Sequence, residues 1–301
     1  MSGFWDTWRT EIIRGATLSF TVLAIGLFAH YLFGRARQRV VDGIPAAMRD
    51  LRSEFAPDAG GPRATGATWA YHAKLAPKQW VWIRNTRGSV RVEPARGDSL
   101  QVTAVKTYRS SDTASVRLVT APYEGGIAVC AVWPGQDASC GPGKSFTSGR
   151  THGSDVAVDF MVRLPAGVGV GATTQVGDVH VVGASAPVVV ATVSGDLDAE
   201  TTRGPVDAVS VNGNVHARMS AFGDTGGVSV VTVNGSVTAE LPPRLDADVQ
   251  ATTINGSITT DYPLTVAGKF TSHKLEGTVG KGGRDVHITT VNGSITLKKA
   301  I

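Results

Sequence analysis

Five side chains between residues 178 and 216 are spaced for chemistry. Asp178 and Asp196 each follow a glycine by one residue, and His180, Asp198 and His216 each follow a glycine by three. If the stretches that carry those glycines stack on one another, the five form an outward patch of carboxylates flanked by imidazoles. Glycoside hydrolysis needs two carboxylates facing one sugar across about 5–9.5 Å, and carboxylate with imidazole is also a metal-ligand set. The same two columns continue as Asn214, Ser236 and Ser257 and as Thr238, Thr259 and Thr296. The ordinary reading is therefore a solvent-facing ladder of modest energy. A Gly-rich phosphate loop, a G-x-S-x-G elbow and an H-E-x-x-H helix are all missing from the sequence. The chain reads as non-catalytic and without cofactor or resident metal, with a polysaccharide-active β-helix enzyme using the 178–216 patch as the alternative.

The two cysteines, Cys130 and Cys140, stand in CAVWPGQDASC. Nine intervening residues fit neither a C-x-x-C redox motif nor a zinc knuckle, and no nearby histidine pair completes a metal site. A disulfide that staples the loop is the better reading, and two unrelated reduced thiols are the other. A disulfide implies an oxidising compartment.

The elements that must position these residues come from a phrase repeated down the chain. It reads TVNGSV at 232–237, TINGSI at 253–258 and TVNGSI at 290–295, with weaker copies at 174–179, 192–197, 210–215 and 274–279. Its glycines are Gly177, Gly195, Gly213, Gly235, Gly256, Gly277 and Gly293, spaced by 18, 18, 22, 21, 21 and 16 residues. A period near twenty marks a stacked-repeat architecture.

Aligned on that glycine, the position two residues later is always aliphatic: Val179, Leu197, Val215, Val237, Ile258, Val279 and Ile295. Seven residues before it stand Val170, Val188, Val206, Val228, Val249, Phe270 and Val286. Two before it come Val193, Val211, Val233, Ile254, Leu275 and Val291, with Gln175 the exception. These β-branched columns alternate with Thr, Ser and Asn and show no helical period. Strands this short cannot bury a face alone, so each repeat needs a neighbour above and below. The fold expected is all-β: a parallel β-solenoid with coils of about 20 residues and ladders about 4.8 Å apart. All three columns are expected inside, the glycine at a bend, and Asn212, Asn234, Asn255 and Asn292 in an outward amide ladder.

The chain has 301 residues, with 42% hydrophobic, 18% charged and a formal net charge of +4. That balance suits one elongated domain plus an anchor. Nucleic-acid binding would need a clustered basic face with interleaved aromatics, which the repeats lack, so no nucleic-acid partner is expected. After an N-terminal segment (1–14), residues 15–34 form the one long apolar run, and twenty helical residues span about 30 Å. They read as an uncleaved single-pass transmembrane helix flanked by Trp5, Trp8 and Tyr31. A cleaved signal peptide competes, although Leu27-Phe28-Ala29 makes a poor cleavage site. An amphipathic core helix is the third option. Arg9 and Arg14 before the run against Arg35, Arg37 and Arg39 after it would place the C-terminal part in the cytoplasm by one charge. The disulfide reading places it outside.

Residues 35–68 read as a juxtamembrane helix and a flexible linker, with APDAGGPRATGAT at 56–68 as the tether. The block 69–164 holds a further glycine phrase, RGSV around Gly88, and alternating strands. It is expected to cap the N-terminal end of the solenoid, which would run through 165–301, because an open coil exposes unpaired edges.

The order WVWIRNTRGSV, SLQVTAVK, AVCAVWPGQDASCGPG and VDFMVRLPAGVGV, followed by serial TVNGSV phrases, resembles the bacterial putative-adhesin β-strand-repeat family over residues 69–301. Head domains of auto-transporter adhesins are among that family's relatives. The resemblance implies a β-helical domain tethered at the bacterial envelope, with no catalytic residues to carry over. Gln175 in the first copy and Lys274-Leu275-Glu276 in the sixth depart from the repeat pattern. The function expected is a membrane-tethered, extracytoplasmic, adhesin-like binding or structural module. Its partners would be the membrane through residues 15–34 and an envelope glycan, a protein or another copy of itself. Self-assembly into a membrane-bound scaffold is a further alternative.

Overall fold

The computed structural model describes residues 63–136, 139–142, 153–223, 226–263, 265–266 and 271–300. Residues 15–34, expected to form the membrane anchor, lie outside the described residues. Among those described, no helix is long and apolar enough to cross a membrane.

The described chain folds into two open sheets. The first has ten strands in the order β1 (Ala64–Lys74), β4 (Ser99–Tyr108), β7 (Ala157–Leu164), β3 (Val90–Pro94), β9 (Val179–Ala184), β11 (Leu197–Thr201), β13 (Val215–Met219), β15 (Val237–Leu241), β21 (Ile295–Lys299) and β17 (Ile258–Thr260). The second has eleven: β5 (Arg117–Tyr123), β6 (Gly126–Val132), β2 (Trp80–Arg84), β8 (Gly169–Val176), β10 (Val188–Ser194), β12 (Val206–Asn212), β14 (Val228–Asn234), β20 (Asp285–Asn292), β16 (Ala247–Asn255), β19 (Lys274–Val279) and β18 (Thr265–Val266). Each repeat gives the strand before its glycine to the second sheet and the strand after it to the first. Within the stack the neighbours are parallel and in register, for example Val188 beside Val170 and Val206, and Leu197 beside Val179 and Val215. The architecture is the all-β, solenoid-like stack that the repeats predict.

The core lies between the sheets. The column two residues after the glycine is buried throughout, as is the column seven before it at every described position. The third column is a correction. Val193, Val211 and Val233 are half-buried and Ile254 is 51% exposed, because they point away from the core, whereas Leu275 and Val291 of the same column are buried. The position three before the glycine faces inward instead: Thr174, Thr192, Ser210, Thr232, Thr253 and Thr290 are all buried. Strand parity decides this. Counting in twos from the buried valine seven before the glycine reaches the threonine and leaves the next residue outside.

Those buried hydroxyls close the corner. Thr192 Oγ1 donates to the Gly177 carbonyl at 3.0 Å, Thr232 to Gly213 at 3.0 Å, Thr290 to Gly235 at 2.8 Å and Thr253 to Gly293 at 2.8 Å. Each glycine also sits directly against its neighbour's backbone. A Cβ on Gly235 would lie 1.9 Å from the Gly213 oxygen, and one on Gly293 would lie 2.0 Å from that of Gly235. Every corner therefore needs a residue without a side chain, and Thr or Ser beside it to satisfy a buried carbonyl.

The order of stacking departs from the order of the chain. It starts before residue 165, since Gly177 packs on the carbonyl of Gly88 and β2 and β3 pair with β8 and β9. The RGSV phrase is thus a rung of the stack rather than part of a cap, with β6 and β7 pairing parallel on its far side, and Asn85, standing where later rungs carry Thr or Ser, donates to the Gly88 and Val158 carbonyls. The rung of Gly293 lies between those of Gly235 and Gly256, because β20 pairs with both β14 and β16 and β21 with both β15 and β17. KLEGTV is no rung: β19 runs antiparallel along β16, with Gly277 opposite Val249. The linker expected through residue 68 ends earlier, because β1 starts at Ala64 and lines the edge of β4.

On the outer face of the second sheet, Trp80 and Trp82 stack with ring centroids 5.5 Å apart. They lie over Gly169 and Gly171, where a Cβ would meet the indole rings at 2.7 Å and 2.0 Å. The tryptophans replace the side chains that these two positions lack.

Thr232→Val keeps the shape of the corner but strands the Gly213 carbonyl. It should cost about 1–3 kcal/mol by urea unfolding, against less than about 0.5 kcal/mol for Thr238→Val on the outer face. Gly235→Ala should cost more than either, because its Cβ meets backbone. Equal costs for the two threonine variants would refute the corner's role.

Candidate functional site

The outer face of the first sheet carries all five residues singled out above. It divides them between two columns with different jobs. Asp178 and Asp196, one residue past their glycines, are joints between rungs. Asp178 Oδ1 accepts the backbone N–H of Asp196 at 2.8 Å, and Asp196 Oδ1 accepts that of Asn214 at 2.7 Å. Asn214 Oδ1 then accepts the backbone N–H of Ser236 at 3.0 Å. Each side chain reaches one rung along and bonds the main chain there, so short oxygen-bearing residues recur in this column.

Three past the glycine, His180, Asp198 and His216 are direct neighbours across β9, β11 and β13. His180 Nδ1 lies 3.5 Å from Asp198 Oδ2, and His216 Nδ1 lies 3.2 Å from Asp198 Oδ1. The row continues through two residues that the sequence reading missed. His216 Nε2 is 3.3 Å from Glu240 Oε1, and Arg218 donates to Glu240 Oε2 at 2.7 Å through Nε and 2.6 Å through Nη2. Glu240 and Arg218 stand five past their glycines, in a column that runs Glu200, Arg218, Glu240 and Lys298. Carrying the repeat alignment two residues further would have shown that alternation of charge.

Both ring nitrogens of His216 face carboxylates, which is the geometry of an imidazolium donating twice. Its hydrogen bond to Asp198 outweighs partial burial, and with the charges of Asp198 and Glu240 it raises the His216 pKa. The same hydrogen bond holds the Asp198 carboxyl below its ordinary value against desolvation, helped by the charges of His216 and His180. Burial pushes Glu240 up, but the Arg218 guanidinium and then His216 overcome it, so its pKa falls. This is a half-exposed ion-pair row, in the energy range of surface pairs.

The row's carboxylates are engaged by imidazole, guanidinium or backbone N–H groups. Among the described residues no three of His, Cys, Asp and Glu gather closely enough to hold a metal ion. On the neighbouring corner column the amide ladder forms as expected, in stacking order. Asn234 Nδ2 donates to Asn212 Oδ1 at 2.8 Å, Asn292 to Asn234 at 2.7 Å and Asn255 to Asn292 at 2.8 Å. Beside it, Ser257 Oγ lies 3.3 Å from Ser294 Oγ, and Thr259 donates to Thr296 at 3.4 Å. The surface is a lattice of amides and hydroxyls that passes into charged residues towards the N-terminal rungs.

The two cysteines are joined. Cys130 in β6 and Cys140 form a disulfide with Cα atoms 5.8 Å apart. It ties the loop after β6 to the second sheet, and Arg84 of β2 donates to the Gly141 carbonyl beside it at 3.3 Å.

These features define a class: a repeat β-solenoid whose recurring phrase serves rung stacking. Residues 145–298 match the model of the family described as Toastrack DUF4097, and the chain belongs to that family. In solved structures it is similar to a putative cell adhesion protein from Clostridium sporogenes, with 11% identity and a TM-score of 0.45 over 78% of this chain and all of that one. It is also similar to a putative adhesin from Bacteroides fragilis, with 10% identity and a TM-score of 0.32 over 77% of this chain and 97% of that one. No curated protein matches the chain.

The pH dependence of the row has two limbs. A raised folded value for His216 means that its contribution is complete below about pH 6.5 and fades as pH climbs through the higher folded value. A lowered value for Asp198 means that its contribution is present above about pH 3.9 and fades as pH falls through the folded value. Histidine NMR titration should place His216 above the ordinary range and return it towards that range in Asp198→Asn. An unchanged titration in the variant would dissolve the pairing.

Proposed function

We propose that this chain is a membrane-tethered, extracytoplasmic module of the bacterial cell envelope that binds or scaffolds without catalysing. The observation that carries the non-catalytic part is the engagement of Asp178 and Asp196 by the main chain of the next rung. A general acid or base must exchange protons with substrate, whereas these carboxylates hold rungs in register. What the first sheet offers instead is a rigid array of Asn, Ser and Thr side chains repeating at the rung spacing of about 4.8 Å. Such an array suits a repetitive hydrogen-bonding partner, either an envelope glycan or an extended peptide.

The location outside the cytoplasm is supported by the Cys130–Cys140 bridge, since cytosolic thiols are kept reduced. The apolar run at 15–34 supplies the tether in this reading.

Alkylation of intact cells before and after reduction, read by mass spectrometry, should find Cys130 and Cys140 protected until reductant is added. Two thiols that react only after lysis would place the fold in the cytoplasm and end the proposal. The binding part is tested by co-sedimenting the full chain with insoluble cell-wall glycan. Thr238→Lys with Thr296→Lys should reduce the bound fraction several-fold, and undiminished binding would exclude the lattice as the contact.

A further inference from the structure

The rung of Gly293 occupies a slot that the chain leaves before it fills. Strands β14–β15 and β16–β17 follow each other directly in sequence, joined through residues 242–246, yet they do not pair. Between them stand β20–β21, whose positions come 37 residues later in the chain than their equivalents in β16–β17. The neighbours carry TVNGSV and TINGSI, and the insert carries TVNGSI.

The insert is held by the same bonds as every other rung. Gly235 N–H donates to the Asn292 carbonyl at 3.0 Å and Gly293 N–H to that of Asn255 at 2.9 Å. Thr290 and Thr253 close the two corners, and Asn234, Asn292 and Asn255 run through it as one amide ladder. None of these bonds depends on how the insert is connected to the rest of its chain. The connection is a turn with glycines at 280, 282 and 283, all at positive φ (62°, 72° and 96°), and Gly283 has open space where a side chain would stand.

A separate clasp holds the far end. Tyr262, which follows β17, places its hydroxyl 2.6 Å from the Leu241 carbonyl at the end of β15 and 3.2 Å from the Lys298 carbonyl of β21. Lys299 lies over its ring, 5.7 Å from the centroid. One side chain thus touches both the insert and the wall of its slot, and a rung donated by another copy would meet the same clasp.

We propose that β20–β21 is an exchangeable rung, donated to the slot between β14–β15 and β16–β17 of a second copy of this chain. The donated rung would meet identical partners in identical register, so exchange alters the glycine turn, with the bonds that Lys281 and Gly283 make to Asp246 and Asp248, and the effective concentration that the turn supplies. Withdrawn from its own slot, the rung leaves two walls with the same phrase, ready for another.

The test uses two full-length copies, one with Thr238→Cys and one with Thr296→Cys, at positions that face each other across β15 and β21. They are unfolded and refolded together at rising concentration, with the native disulfide intact, and treated with a short bis-maleimide. A covalent heterodimer whose yield rises with concentration, several-fold above a His216→Cys with Thr238→Cys control, is the expected result. Tyr262→Phe loses the clasp in both arrangements and should leave the ratio of heterodimer to internal cross-link unchanged. The double variant in a single chain must cross-link internally, which shows that the rung is seated; Ser236→Cys with Ser294→Cys repeats the test one column over. Internal cross-linking without heterodimer, or heterodimer equal to the control, would overturn exchange.

Discussion

Everything in the stack depends on one contact: a glycine carbonyl at the corner of one rung, bonded by the buried hydroxyl of the next. The chain turns there from one sheet to the other, and its backbone would otherwise present an unpaired carbonyl inside a protein core. An orphan of that kind costs about 1–3 kcal/mol, repeated at every rung. Threonine supplies the donor without adding width, and glycine lets the backbones approach until a Cβ would overlap a neighbouring oxygen. The interior columns of valine, alanine and leucine then need only be apolar and small enough for two sheets to close on them.

That constraint also explains what the outer face can be. Corners stacked in register force every outward residue into a column, so a short polar side chain one past the glycine has a backbone N–H within reach on the next rung. Asp, Asn and Ser all fill that place, and each accepts that N–H. The His–Asp–His–Glu–Arg row arises from the same geometry two and four residues further on. Its charges answer each other because β-pairing sets them side by side.

The departures from serial order have a physical logic too. Because TVNGSV, TVNGSI and TINGSI are nearly the same phrase, the corner contacts do not choose among these three rungs. The charged column beyond the phrase does differ, with Lys298 of the inserted rung beside Glu240. The stretch between β17 and β20 is used for β18 and β19, which run antiparallel at the second sheet's end and cover the edge of β16. The next rung returns inside that cover instead of adding beyond it.

By itself the sequence determined the architecture and its period. Alignment on glycine gave strands, rung length, the apolar columns and the asparagine ladder, because each is a local pattern repeated at fixed spacing; the pairing of Cys130 with Cys140 came separately, as the better of two readings of the loop between them. It also brought His180, Asp198 and His216 onto one column. Tertiary structure alone decided which columns face in, since the corner at glycine resets strand parity and exchanges valine for threonine inside. It decided the stacking order, because identical phrases carry no information about who sits beside whom. It turned Asp178 and Asp196 from candidate acids into joints, for the backbone N–H groups that they bind belong to a rung eighteen residues away. That distance is invisible in sequence and short only after the fold is complete.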